Sequence, residues 1–226
     1  MIWDNLIEIQ RFLENKFEET GTEIQEEGMD QFNRPGWVNR VWTSNAYRRA
    51  HVDVVDARET KKLWMMHVCI FPHLSSDGPV FGFDVIAGQK KITGCFFDFS
   101  PTIDKDHKMI NWFGNTMAKY GYNKTRTLPE WAQQIFSPHM VAAGNVSEES
   151  EMEMITKMIH EGAEYYLDYI ERTNDSMDGL FEGIKAQNRY AYYQKQNPHT
   201  PRTMTSLGLG EDDVRLFIDK CLFPEV

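Results

Sequence analysis

The sequence predicts an α+β protein in which an antiparallel sheet, drawn from the middle of the chain, is covered by helices. Three observations carry this. Some four or five apolar stretches follow one another between Trp37 and Pro101. The links between them are shorter than the roughly dozen residues a parallel crossover needs, so neighbours pair antiparallel. After Pro101 the apolar spacing turns helical, and strands followed by helices is the α+β order.

Each element has its own signal. Ile2, Ile7, Ile9, Phe12, Leu13 and Phe17 recur at helical spacing, which predicts an amphipathic helix over 2–19. Gly21 to Arg34 is polar and reads as a loop. WVNRVWTSNAYRRAHVDVVDARETKKLWMMHVCIFP reads as strands, with HVDVVDA alternating and ETKK a polar turn before the next apolar run. FGFDVIAG and ITGCFFDFSP follow as two more, joined by GQKK as a hairpin. DKDHKMINWFGNTMAKY is a helix candidate with Asp104 near its start, and LPEWAQQIF a short helix. SEESEMEMITKMIHEGAEYYLDYIERT is a long helix opened by Ser147, with acids in its first turn. SMDGLFEGIKAQNRYAYYQKQN is another, ended by Pro198, and EDDVRLFIDKCLF is a terminal helix.

Composition bounds the function. The chain has 226 residues, read as one domain over 1–226, and a formal net charge of −10. So acidic a chain is a poor general binder of nucleic acid, which needs clustered Lys and Arg. Cys69, Cys95 and Cys221 are odd in number and have no CxxC spacing, against a disulfide framework or a zinc site. Acids stand where a signal peptide has a basic start, and no apolar run approaches the ~20 residues of a membrane span. A cytoplasmic protein with no membrane partner is expected.

Familiar cofactor motifs are missing. There is no Walker loop, Rossmann fingerprint or HExxH, and Gly208 to Gly210 lacks the context of a nucleotide loop. Asp104, Asp106 and His107 read as a solvated helix start and not as metal ligands. His51 and His73 read as structural, His160 and Glu161 as surface, and Met152, Met154 and Met158 as helix packing. No metal and no bound cofactor are expected.

What stands out is a pair of ionisable residues in the two most apolar strands: His67 in WMMHVCIFP and Asp84 in FGFDVIAG. Asp84 either points to solvent or sits on a covered face, where Phe81 and Ile86 are expected to flank it. A covered carboxyl is desolvated and holds its proton to higher pH. His67, on a neighbouring strand, can hydrogen-bond it to form a coupled, proton-sharing pair.

WMMHVCIFP, PVFGFDVIAG and FFDFSP resemble the ferredoxin-dependent bilin reductases. The resemblance runs on through TRTLPEWAQQIFS and NVSEES to QKQNPHTPR, from about residue 42 onward. The spacing from His67 to Asp84 matches the family's histidine–aspartate pair without a gap. The resemblance implies an α/β/α sandwich, a central antiparallel sheet with helices on both faces and the bilin on one of them. It implies successive electron transfers from reduced ferredoxin to biliverdin through bilin radicals, with protons from acidic side chains. Asp84 is then the central proton donor and His67 its relay. Arg126 matches an arginine that pairs with a propionate, and Thr93 a small hydroxyl residue lining the pocket.

Two departures bear on the product. Allowing a two-residue insertion in the turn at Glu59 to Lys62, Asp53 stands where the phycocyanobilin-forming branch has a glutamate, one methylene longer. Asn197-Pro198 stands where many relatives have Asn-Asp, and His199 follows where a lysine lies near a propionate. Together they point to reduction at the methine bridge and the A-ring diene, giving phycoerythrobilin. The alternatives are a phycocyanobilin-forming reductase and a non-catalytic bilin carrier. Arg48, Arg49, Lys61, Lys62, Lys90 and Lys91 form a candidate docking set for acidic ferredoxin. A monomer is expected.

Overall fold

The computed structural model describes residues 2–122, 125–173 and 179–226. Seven strands form one sheet in chain order: β1 (Thr22–Ile24), β2 (Trp37–Thr43), β3 (Tyr47–Ala57), β4 (Leu63–Pro72), β5 (Val80–Gly88), β6 (Ile92–Ser100) and β7 (Val141–Ala143). Every neighbouring pair is antiparallel. The short links dictate this, since a strand that turns back within a few residues must pair with its predecessor.

Helices cover both faces of this sheet, as the sandwich requires. On one face lie α1 (Ile2–Thr20), α3 (Lys108–Lys119) and α5 (Glu149–Arg172). Leu6, Ile9, Leu13 and Phe17 of α1 share one buried core with Val52, Val54, Met66, Val68, Phe83, Val85 and Phe97 of the strands. Each fully buried side chain of this kind contributes about 1.5–3 kcal/mol. Along α5, Met152, Ile155, Ile159, Ala163, Tyr166 and Ile170 form the buried stripe of a 3.6-residue period. Gly162 lies in that stripe because a Cβ there would collide with the Phe97 ring.

The other face meets a later part of the chain: α4 (Glu130–Gln133), α6 (Leu180–Gln194), α7 (His199–Ser206), α8 (Glu211–Leu216) and a π-helical turn over Phe217–Leu222. Trp37, Val41, Val55, Met65 and Cys69 of the sheet pack there on Tyr190, Met204, Phe217, Leu222 and Phe223.

The elements depart from the sequence reading at a few points. The loop of Gly21 to Arg34 contains β1 and a 3-10 turn over Asp30–Phe32, and ETKK lies in a one-turn helix, α2 (Arg58–Lys61), closed by Lys62 at φ 55°. β7 carries no local signal, being three residues paired with β6. α3 starts at His107 and not near Asp104: His107 caps it, Nδ1 accepting from Met109 N. Glu148, not Ser147, caps α5 through a reciprocal box with Glu151. The helix read as ending at Pro198 stops at Gln194, and a further helix, α7, follows that proline, with Asn197 Oδ1 accepting the His199 N–H. The expected helix start at Ser176 lies outside the described residues.

Candidate active site

Strand register builds the site. Asn39, Asp53, His67, Asp84 and Phe96 lie directly opposite one another from β2 to β6. Residues directly opposite in antiparallel strands share a face, so a row of polar groups ending at Phe96 crosses the sheet under the C-terminal helices. A second row, two residues along, holds His51, Cys69, Gly82 and Asp98. Ile86 shares the face of Asp84 as expected. Phe81 does not: three positions is an odd step, and its ring packs against Tyr166 of α5 on the other side.

His67 Nδ1 and Asp84 Oδ1 are 2.7 Å apart, which makes the pair drawn from the sequence. The environments are not as expected. The Asp84 side chain is 41% exposed, open to the cleft, so it is not the desolvated carboxyl. That is Asp53, 1% exposed. Its Oδ1 accepts from Trp37 Nε1 at 2.6 Å, and its Oδ2 has no protein partner. Burial pushes the Asp53 carboxyl up to about 7; His67 and the Trp37 bond pull against this. Burial disfavours the charged form of His67, but the charge and hydrogen bond of Asp84, joined by Asp53, outweigh it and raise its pKa. Beside them His51 Nε2 lies 3.0 Å from Asn39 Oδ1, and burial holds His51 well below the usual imidazole range.

Over this row opens a cleft of about 660 Å³, with a pocket of about 100 Å³ at its inner end. Ile86, Phe96, Trp131, Phe136 and Met140 supply its apolar walls. Asp84 and His199 line both parts, Asp53 and His67 the inner one, and Thr93 and Arg126 the outer one. An apolar cleft with a few convergent polar groups is the usual form of a small-molecule site. Arg126 is exposed at the mouth, its Cζ 5.7 Å from the Phe96 ring centre. Gly144 makes room for it, since a Cβ there would come within 3.0 Å of Arg126 Cδ. Thr93 turns its hydroxyl to Ile86 O.

The six candidate residues thus line one connected cleft. Sequence reasoning missed several neighbours. His51 could have been found, because it is two residues from Asp53 on the same strand. Trp37, Asn39 and Phe223, whose ring lies edge-on to His67 at 5.4 Å, reach the row only through pairing and packing. So does Asp98, whose carboxyl accepts from Ser137 Oγ, Ser137 N and Ser100 Oγ. Burial pushes Asp98 up to about 6 against those bonds. The basic set also divides. Arg49 is buried, paired with Glu26 and bonded to Cys221 O, and Arg48 turns inward to Gln187. Lys61, Lys62, Lys90 and Lys91 are exposed where Leu63 pairs with Gly88, at one end of the sheet. Among the described residues no cluster of His, Cys, Asp or Glu could hold a metal ion, and no helix is long and apolar enough to cross a membrane.

This sheet, with an acid–imidazole row beneath an apolar cleft, has the build of an enzyme that moves protons on a bound small molecule. The chain belongs to the ferredoxin-dependent bilin reductase family, whose model matches residues 5–224. It is similar to the phycocyanobilin:ferredoxin oxidoreductase of a Prochlorococcus marinus strain, 28% identical over 82% of this chain and 74% of that one. The enzyme of that name from Trichodesmium erythraeum is 26% identical over 74% and 67%. The solved structure of PcyX is 37% identical over 98% of this chain and 99% of that one, with a TM-score of 0.73. Tomato phytochromobilin synthase, solved in complex with biliverdin, shares the fold at 14% identity, over 95% and 81%, with a TM-score of 0.74. The protein is therefore an oxidoreductase of a family that takes its electrons from reduced ferredoxin and not from a bound cofactor. Membership sets the non-catalytic carrier aside.

Proposed function

We propose that this enzyme reduces biliverdin IXα to phycoerythrobilin through bilin radicals, as a single-domain cytoplasmic monomer. Each two-electron reduction takes one electron from each of two reduced ferredoxins and two protons. Asp84, open to the cleft, delivers protons to the bound tetrapyrrole, and His67 relays them. Asp53 is a second donor. Arg126 pairs with a propionate at the mouth, with Thr93 and His199 lining the cleft around the substrate.

One observation carries this reading: two carboxyls and an imidazole meet at the inner end of one apolar cleft, and the buried carboxyl, Asp53, keeps its proton up to about 7. A general acid works best with a pKa near the working pH. The shorter Asp53 and the proline at 198 favour phycoerythrobilin. The names of the curated relatives favour phycocyanobilin. Lys61, Lys62, Lys90 and Lys91 form the ferredoxin dock, since Thr93 at the cleft mouth follows two residues after Lys91.

The test is an anaerobic reaction of the enzyme with biliverdin, ferredoxin and a ferredoxin-reducing system, resolved by absorbance and product chromatography. Phycoerythrobilin is expected. Phycocyanobilin would overturn the product assignment, and Asp53→Glu should move the product mixture toward it.

A further inference from the structure

The partner of the second carboxyl is a tryptophan that no motif picks out. Trp37 is 2% exposed on β2 and donates its indole N–H to Asp53 Oδ1 at 2.6 Å. Its ring is held on two sides, by the Arg34 guanidinium 4.7 Å from its centre and by the edge of Phe217 at 5.2 Å. An indole N–H is a donor only, so the oxygen it grips must accept. The carbonyl oxygen of a neutral acid is the better acceptor, so this bond favours the proton of a neutral Asp53 on Oδ2.

We propose that Trp37 is a positioning residue for the Asp53 donor: it grips Oδ1 and leaves Oδ2 to carry the transferable proton. This rests on the reading of Asp53 given above. Oδ2 is buried with no protein partner, and Asp53 lines the inner pocket together with His67 and Asp84. In the step this serves, one electron arrives from reduced ferredoxin, the Oδ2–H bond breaks, and a C–H bond forms on the tetrapyrrole. Asp53 is left as a carboxylate and is reprotonated from His67.

The same bond biases Asp53 toward its carboxylate, because a donor stabilises the charged form. Other groups face it: His67 from β4, Asp84 from β5, His51 and Arg49 from its own strand, Cys221 from the π-helical turn, and His199 from α7 at the pocket wall. Removing the indole N–H changes one of these influences and leaves the rest.

The test compares the parent enzyme with Trp37→Phe and with a chain whose Trp37 is replaced by its benzothiophene isostere, sulfur standing for N–H. Each is made alone and with Asp53→Asn, and bilin turnover is followed across pH. With either replacement kcat should fall about ten-fold, the scale of one hydrogen bond to a charged group. KM for biliverdin should stay constant, and the alkaline limb should move to higher pH. On the Asp53→Asn background neither should cost more. Equal losses on both backgrounds, or a raised KM with an unmoved limb, would show that Trp37 merely packs. If Asp53→Asn itself leaves turnover intact, the donor role falls, and the infrared C=O band of the Asp53 acid decides the rest. Its titration midpoint should rise in the isostere, and an unmoved midpoint overturns the proposal.

Discussion

The two faces of the sheet come from the same strands and could hardly differ more. Under α1, α3 and α5 the strands present Val52, Val54, Val68, Phe83, Val85 and Phe97, a dry surface that packs side chain on side chain. One residue along each strand the chain turns over and presents Asp53, His67 and Asp84 to a cleft beneath the C-terminal helices. The first face has long helices with continuous apolar stripes. The second has mostly short ones, α4, α7, α8 and a π-helical turn, which leave a cavity of ligand size unfilled. One face is packed solid and the other is left open over titratable groups, and the period of two along a strand keeps them apart.

Neighbouring residues test this division most sharply. Asp84→Asn should lower bilin turnover by about 10²–10⁴-fold, the range of a lost general acid. It should leave the thermal midpoint nearly unchanged, as differential scanning calorimetry would show. Phe83→Ala, one residue away, should do the reverse and cost about 3–5 kcal/mol of stability in urea unfolding. If Phe83→Ala abolished turnover in protein that remained folded, the division would break.

Asp53 sharpens the comparison, because it is a charge-bearing group buried as deeply as the core. Its pKa is raised in the fold, to about 7 from the usual carboxylate range. The fold therefore binds a proton that the unfolded chain releases. Its contribution is fully present below the unfolded pKa and is lost as pH rises through about 7. Asp53→Asn keeps an acceptor for Trp37 and removes that loss. Relative to the parent it should gain about 1–3 kcal/mol between about pH 5 and about pH 8. A variant whose relative stability does not change with pH would place the desolvated carboxyl elsewhere.

Smaller effects belong at the rim. Arg126→Ala should raise KM for biliverdin about ten-fold with kcat little changed, the loss of one charge-assisted contact. An unchanged KM would remove Arg126 from the substrate. Changing Lys61, Lys62, Lys90 and Lys91 together to Gln should raise KM for ferredoxin several-fold and flatten its salt dependence. Turnover in the parent that ignores salt would argue against this dock.

The sequence by itself determined the sequential antiparallel strands, because short links and alternating residues are local properties. It also determined the His67–Asp84 pair, because the two residues lie on strands joined by one short connection. The rest needed distance in the chain to close. Arg49 looked like a surface charge until Glu26 and the Cys221 carbonyl enclosed it. Asp84 looked like the buried acid until the cleft opened above it, while Asp53 was closed in by Trp37 from one side and His67 from the other. Phe223 and His199 come to the same pocket from the far end of the chain. Residue type and period are written along the strand. Desolvation, and with it which carboxyl holds its proton near neutral pH, depends on what packs over the strand from elsewhere, and only the tertiary structure decides that.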